Sequence, residues 1–356
     1  MRSAVYSHMK SASGGGGVSY VSSWASVLRE FGPVDLYSPA AVAPAEIERM
    51  YGVPLDGVTA CRLAGHRSGP AAMLARFAQG WSQRRYDFTI RQSTAIAGPT
   101  FCSNGWLLTD FPFQRSSSAR ERWYMSTYRG VITNSEFTAR WVRRYWGAEA
   151  RVFYPPVRPI EPATKQRRIA AIGRFAGGAR QKFQLEMVEC FRSLGAARAN
   201  GWELALCGLV ESQEYLDKVR SAAAGLPVTI HASVSRAELE RIISTSSIFW
   251  HGTGVNDDET RSPHLMEHFG IATAEAMSAG CVPVVIGKAG PKEVAGEEFA
   301  PWTWLTWEEC ARKTAELTAL PSLAALAQQA RSRAAAFGFD AFRARVHRFV
   351  GEEVKR

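Results

Sequence analysis

Two carboxylates, Glu267 and Glu275, stand eight residues apart in EHFGIATAEAMSAGCVPVV, residues 267–285. An ionised carboxylate only accepts hydrogen bonds, and its two oxygens suit paired hydroxyls such as those of a sugar or ribose diol. Gly270 lies between the two acids and opens a predicted helix. The first amides of a helix have no partner within it and favour an anion. Glu267 belongs to the loop before that helix and Glu275 to its second turn, so the two need not share a helical face. Eight helical residues span about 12 Å, which fits the two ends of one nucleotide-sugar. A solvated helix face is the plainer account of such a pair.

A second pair lies in IGRFAGGARQKF, residues 172–183. Arg174 follows directly on a predicted strand, and Lys182 begins the next helix. Two cations at the carboxyl edge of a sheet suit a diphosphate, because each can pair a phosphate oxygen. The run Gly14, Gly15, Gly16, Gly17 joins a short strand to a helix. Backbone amides there can approach a phosphate or a sugar. Position 19 is serine, so the G-x-G-x-x-G fingerprint fails. Taken alone, a flexible loop explains the glycines and a solvated surface pair explains the cations. His251, after Phe249 and Trp250, either lines a cleft or is buried and satisfied. The acidic run NDDE (256–259) invites a metal reading, but a polar loop accounts for it more simply.

Strands and helices must hold these residues, and the chain alternates them. SAVYSH, VDLYS, DFTIRQS, PTFCSN, YRGVITNS and ARVFYPPV read as strands in the first half, with helices over 18–31, 71–85 and 136–147. YPPVRPIEPATKQRR (154–168), with four prolines, reads as a linker. Beyond it RIAAIGRF, WELALCG, PVTIHAS, SIFWHG and CVPVVIG alternate with four helical stretches. Such alternation predicts parallel sheets with right-handed crossovers. The expected fold is α/β, with two Rossmann-like doubly wound domains facing across a cleft. Their bounds are 1–157 and 158–336, and a C-terminal helix, 337–356, packs back on the first domain. Ligands in such sheets sit at the carboxyl ends of the strands.

The bulk properties narrow the function. A chain of 356 residues exceeds one ordinary core. No apolar run is long enough for a membrane helix, and MRSAVYSHMK has no signal-peptide apolar region. Six scattered cysteines with no C-x-x-C pair predict reduced thiols in a cytoplasmic protein. The net charge is +10, and 18 basic against 10 acidic residues in 1–157 place most of it in the first half. That excess suits anionic lipid or a phosphorylated acceptor; no nucleic-acid module is present. AAMLARFAQGWSQRRY, with Phe77, Trp81, Arg76, Arg84 and Arg85, is the stretch best suited to a membrane surface. A core-packed amphipathic helix is the plainer reading.

The residues around the two acids resemble glycosyltransferase family 4, retaining enzymes with the GT-B fold. The likeness rests on Glu267 and Glu275 as E-x7-E, on EAMSAGCVPVV and AGPKEV after them, and on Arg174 with Lys182 as the family's GRF…K segment. It runs from about 128 to 296 and includes TNSEFTARWVRRYWGAEARVFYPPV. The resemblance implies a nucleotide diphosphate-sugar donor, with Arg174 and Lys182 on the diphosphate. The amides of Phe269, Gly270 and Ile271 would join them, Glu267 would hold the transferred sugar, and Glu275 the ribose. His251 would line the donor site, and one of Gly14–Gly17 would close over the phosphates. It implies no cofactor and no divalent metal. The acceptor would be a glycan or a lipid-linked molecule, and the donor sugar a mannose-type hexose.

One position departs from the family pattern. Many members carry a histidine at a strand end of the first domain, where LLTDFPF (107–113) places Asp110. An aspartate there could accept a bond from the acceptor hydroxyl or stabilise an oxocarbenium-like state. Two other readings compete with the transferase: another GT-B enzyme such as a nucleotide-sugar epimerase, and a non-catalytic nucleotide-sugar-binding partner. The expected location is cytoplasmic, peripheral on the inner face of a membrane if the basic surface binds lipid.

Overall fold

A computed structural model of the chain describes residues 1–12, 15–63, 70–96, 98–114, 118–178 and 181–354. Gly14 lies outside them. The backbone divides into two compact units, Met1–Arg158 with Phe339–Arg356, and Pro159–Gly338.

The first unit holds β1 (Ser3–Tyr6), β2 (Val34–Ser38), β3 (Val58–Arg62), β4 (Phe88–Gln92), β5 (Gly105–Thr109), β6 (Gly130–Thr133) and β7 (Ala150–Val152). They form one parallel sheet in the order β3-β2-β1-β4-β5-β6-β7. The second unit holds β8 (Arg168–Ile172), β9 (Glu203–Gly208), β10 (Val228–Ala232), β11 (Ile248–His251) and β12 (Val282–Val285), parallel in the order β10-β9-β8-β11-β12. Each sheet therefore winds outward in both directions from its first strand. The order reverses between β1 and β4 in one unit and between β8 and β11 in the other. A crevice opens at such a point, outside the carboxyl ends of the strands.

The inner strands β1, β4, β5 and β11 are buried at every position, whereas the edge strands β3 and β10 are part-exposed. That contrast is what helices on both faces of a parallel sheet produce. Several helices start on a side-chain cap: Ser135, Ser212, Ser235 and Thr306 each accept the amide three residues on. The C-terminal helix Phe339–Val354 belongs to the first unit. Its Phe342, Val346, Phe349 and Val350 share a core with Trp24 and Trp106. Buried Glu353 is held there by Arg129 at 3.1 Å and Arg151 at 2.8 Å. In the second unit Lys165 donates to the carbonyls of Ser244, Ser246 and Ala279, satisfying acceptors where two helices end.

The strand expected over 99–104 is not one. Those residues turn, the Cys102 carbonyl accepting from Gly105, and the strand begins at Gly105. A Cβ at 105 would lie 2.6 Å from the Thr100 side chain, so the turn and the strand start demand glycine. Strand β3 and the helix Pro44–Tyr51 were not legible in the pattern. The short, mixed burial of an edge strand leaves no clear alternation. Among the described residues no helix is long and apolar enough to cross a membrane.

Candidate functional site

The site in the second unit is built where β8 and β11 end. Two glycines make room for it. A Cβ on Gly208 would collide with the Gly173 carbonyl, and one on Gly173 would lie 2.6 Å from the Cβ of Lys182. Phe183, buried and at φ 61°, turns the chain into the helix Gln184–Ser193. This left-handed backbone is uncommon for a bulky residue. The Gln184 amide ties the turn down, donating to the carbonyls of Gly173 at 2.9 Å and Arg174 at 3.2 Å. Lys182 is thereby held at the β8 exit.

Three predicted residues meet there. Lys182 Nζ lies 2.9 Å from Glu267 Oε2, and His251 Nε2 lies 3.5 Å from the same oxygen. Burial pushes the Glu267 carboxyl up, but the Lys182 ammonium and His251 outweigh it and hold the acid well below the usual range. Burial lowers His251, so its imidazole is neutral at neutral pH. The proton belongs on Nε2, facing the carboxylate, which leaves the buried Nδ1 as an acceptor with no hydrogen-bond partner among the described residues. His251 is thus buried but not satisfied, and it points at Glu267.

His268, beside Glu267, is pushed down to about 4, chiefly by burial. Its folded-state pKa lies below the ordinary 6.5, so the unfolded chain binds the proton first as pH falls. Its contribution to stability is present above pH 6.5 and is lost progressively toward pH 4. The melting temperature is expected to fall across that window, with a shallower slope in His268→Gln. An identical slope in the variant would remove His268 from this account.

The helix Ile271–Ser278 starts on Gly270 at φ 103°, with no side-chain cap and no acid in its first turn. Its positive end is therefore not neutralised by its own side chains. The start of the helix Ala289–Ala295, beyond β12, packs tightly on the turn before Ile271–Ser278. The Gly290 amide donates to the Glu267 carbonyl at 3.0 Å, and a Cβ at 290 would overlap the backbone of Phe269. Phe269 and Ile271 flank the glycine, Phe269 buried with its ring on Phe337.

Glu275 is not beside Glu267's cluster partners. It is buried, and its Oε1 lies 2.8 Å from Nη2 of Arg236, on the neighbouring helix Arg236–Thr245. Arg236 also pairs Glu240 at 2.8 Å. Arg174 likewise has an unforeseen partner, Glu211 Oε1 at 2.6 Å, just past the end of β9. Both side chains of that pair are substantially exposed, so the pair is worth little and a stronger anion can displace the acid. Glu211 and Arg236 were missed in the sequence. The one available signal was position, each lying just beyond a strand at the carboxyl edge. Within NDDE, the Asp258 carboxylate accepts from Thr260 and the Glu259 carboxylate from the Ala289 amide. Lys288 ties the same loop through the carbonyls of Gly254, Val255 and Asp257.

The first unit has its own cluster at the β1/β4 reversal. Asp110 follows β5 and accepts from Gln92 Nε2 at 2.9 Å, while Gln92 Oε1 accepts from Ser7 at 2.8 Å. A Cβ at Gly17 would lie 3.4 Å from Asp110 Oδ2, so the glycine helix start abuts this acid. Gly15, at φ 73°, donates to the Tyr51 hydroxyl at 3.0 Å, and Gly16 opens the helix Gly16–Leu28. Burial raises the Asp110 carboxyl, with the Gln92 bond opposing.

The model of the family described as Glycosyl transferases group 1 matches residues 157–333. Two relatives are GDP-Man:Man(3)GlcNAc(2)-PP-Dol alpha-1,2-mannosyltransferases. That of Candida glabrata is 27% identical over 192 residues, 48% of this chain and 36% of its own. That of Dictyostelium discoideum is 28% identical over 187 residues, 46% and 35% respectively. The matched stretch thus spans about a third of the length of these relatives. Among solved structures, WaaG, a glycosyltransferase involved in lipopolysaccharide biosynthesis, covers 97% of this chain and 98% of its own at TM-score 0.64 and 11% identity. Anabaena Alr3699/HepE in complex with UDP and glucose covers 99% and 100% at TM-score 0.69 and 13% identity. At those identities the likeness speaks to the fold, and the expected α/β GT-B class is the one found. Residues 157–333 thus match the group 1 glycosyl transferase model, in a chain with the α/β architecture of the GT-B fold.

Proposed function

We propose that the chain is a retaining hexosyltransferase of glycosyltransferase family 4, moving a mannose-type sugar from a nucleotide diphosphate-sugar to a glycan or lipid-linked acceptor. The observation that carries this reading is the convergence of Lys182, His251 and Glu267 at the β8/β11 reversal, inside the group 1 segment. The names of the two mannosyltransferase relatives support GDP-mannose as the donor.

Arg174 and Lys182 take the diphosphate and neutralise the charge that develops on it as the sugar leaves, the main electrostatic task in this chemistry. The helix opened by Gly270 offers the amides of Gly270 and Ile271 to the same group, with that of Phe269 beside them. Glu267, kept ionised by Lys182, accepts from hydroxyls of the sugar. The acceptor attacks from the face the phosphate leaves, and the phosphate takes its proton. This route needs no second carboxylate as base, unlike the two-acid hydrolases, and the two cations serve where a divalent metal otherwise would. On the first unit, Asp110 accepts a bond from the acceptor hydroxyl.

Glu275 holds the ribose, oriented by Arg236. Glu275→Ala is expected to weaken donor binding about tenfold, in line with loss of a charge-assisted hydrogen bond, while leaving turnover at saturating donor within about twofold of wild type. Calorimetric titration with GDP-mannose checks this, and unchanged affinity removes the ribose role.

The proposed location is cytoplasmic and peripheral on the inner face of a membrane. On the helix Pro70–Ser82, Phe77 and Trp81 are exposed and pack with Phe101, and Arg84 lies over the Trp81 ring at 4.2 Å. Apolar rings flanked by cations suit an anionic lipid surface. Flotation with anionic vesicles at low and high salt tests it; no binding at low salt overturns it.

The reaction itself is tested by a melting-temperature panel of nucleotide-sugars, then by NMR of the product. GDP-mannose should stabilise the chain most, and the product should keep the donor's anomeric configuration. Conversion of donor without acceptor would indicate an epimerase instead. Donor binding with no transfer to any acceptor would indicate a binding partner.

A further inference from the structure

We propose that Arg91, in the first unit, is a subsite for a phosphate carried by the acceptor. The other inward-facing cations described above have partners: Lys165 caps carbonyls, and Arg129 with Arg151 closes on Glu353. Arg91 is only 8% exposed, yet among the described residues the one hydrogen bond of its guanidinium runs from Nη1 to a neutral group, Gln79 Oε1, at 3.0 Å. Nε and Nη2 are buried without a hydrogen-bond partner, and no carboxylate pairs with Arg91 among the described residues. A buried, uncompensated charge is strongly unfavourable, so the site implies an anion.

The pattern of free donors says which anion. Nε and Nη2 share one edge of the planar guanidinium, the edge that grips two oxygens of a phosphate or carboxylate side-on. Gln79 engages only Nη1 and so leaves that edge intact. The Tyr6 ring, 5.2 Å from Arg91 Cζ and opposite it in the β1/β4 register, backs the cation. It carries no charge that would compete.

Position links the subsite to the acceptor. Arg91 is the penultimate residue of β4, at the β1/β4 reversal, and the next residue is Gln92, which holds Asp110. Successive strand residues point to opposite faces. An acceptor with its hydroxyl at Asp110 and its phosphate at Arg91 would therefore straddle the carboxyl edge of the sheet. The surplus of 18 basic over 10 acidic residues in 1–157 favours such an acceptor.

The proposal rests on the acceptor role given to this unit, but its test needs no sugar transfer, so either can fail without the other. Inorganic phosphate is titrated into the full chain carrying Arg174→Ala and Lys182→Ala, which disables the second unit's cations, and binding is read by ³¹P line broadening. Binding should persist in this background and vanish when Arg91→Met is added. Arg91→Met should also melt higher than its parent without phosphate, because it removes an unpaired buried charge. If that variant does not fold, Arg91→Lys decides: it keeps the charge, loses the fork, and should bind phosphate about tenfold more weakly. No phosphate binding in the background, or binding unchanged by either Arg91 substitution, overturns the proposal. Glycerol 3-phosphate and vesicles containing phosphatidylglycerol then identify the source. Competition by the soluble ester alone indicates a water-soluble phosphorylated acceptor, and competition by the vesicles a lipid headgroup.

Discussion

Glu267→Gln is expected to lower turnover by about a hundredfold to a thousandfold, the range seen when one preorganised electrostatic contact to a transition state is removed. The substitution keeps the size of the side chain and deletes only its charge. The wild-type carboxylate receives Lys182 at 2.9 Å and faces His251 Nε2 at 3.5 Å, so both groups depend on that charge for their arrangement. An amide would present a donor to one of them and a weaker acceptor to the sugar hydroxyls. Lys182, no longer neutralised, should attract the donor diphosphate at least as well as before. The effect should therefore fall on kcat, with the donor KM unchanged or lower. Steady-state kinetics across donor concentration checks both terms, with near-UV circular dichroism to establish the fold. Wild-type kcat in this variant would contradict the assignment of the site.

Lys182→Met should be comparably severe and should also change the pH response. Burial pushes the Glu267 carboxyl up, and Lys182 is the largest influence opposing it. Deleting the ammonium leaves burial in command, so the folded-state pKa of Glu267 rises. In the wild type the acid stays ionised until the pH falls well below the usual carboxylate range. In the variant it gains its proton at higher pH, so the acid limb of kcat/KM should move upward. Folding stability shifts the same way. In the wild type the depressed pKa contributes stability that is present above the ordinary value of 4.5 and lost only below it. The variant should lose about 1–2 kcal/mol at neutral pH, less than for a fully buried pair because both side chains keep some contact with water. Urea unfolding and a pH–rate profile measure the two effects. An acid limb that stays in place would show that Lys182 does not control Glu267.

Much of the architecture was legible because the signals are local. Apolar runs such as VDLYS and CVPVV, spaced by helical stretches, announce buried parallel strands before any pairing is known. Gly270 and Gly147 mark backbone that other residues adopt poorly, at φ 103° and 62°. The turn at 99–104 was misread as a strand because PTFCSN is apolar enough to be one. The crowding of Thr100 against Gly105 is invisible in the letters.

The site divides along the same line. Its residue types, with glutamates eight apart and an arginine and a lysine eight apart, are written in short segments and could be recognised there. Which residue meets which was not. Lys182 reaches Glu267 across 85 positions and Arg174 reaches Glu211 across 37. Those meetings depend on β8 lying between β9 and β11, an order that chain reversal and long-range strand pairing choose and that no local pattern records. Burial is decided at the same level: nothing in DFTIRQS says that Arg91 will be enclosed with one edge of its guanidinium unpaired. Periodicity and backbone demands are properties of neighbours along the chain and survive reading it as text. Counter-charges, dielectric and unpaired donors are properties of neighbours in space, and they exist only once the sheets have closed.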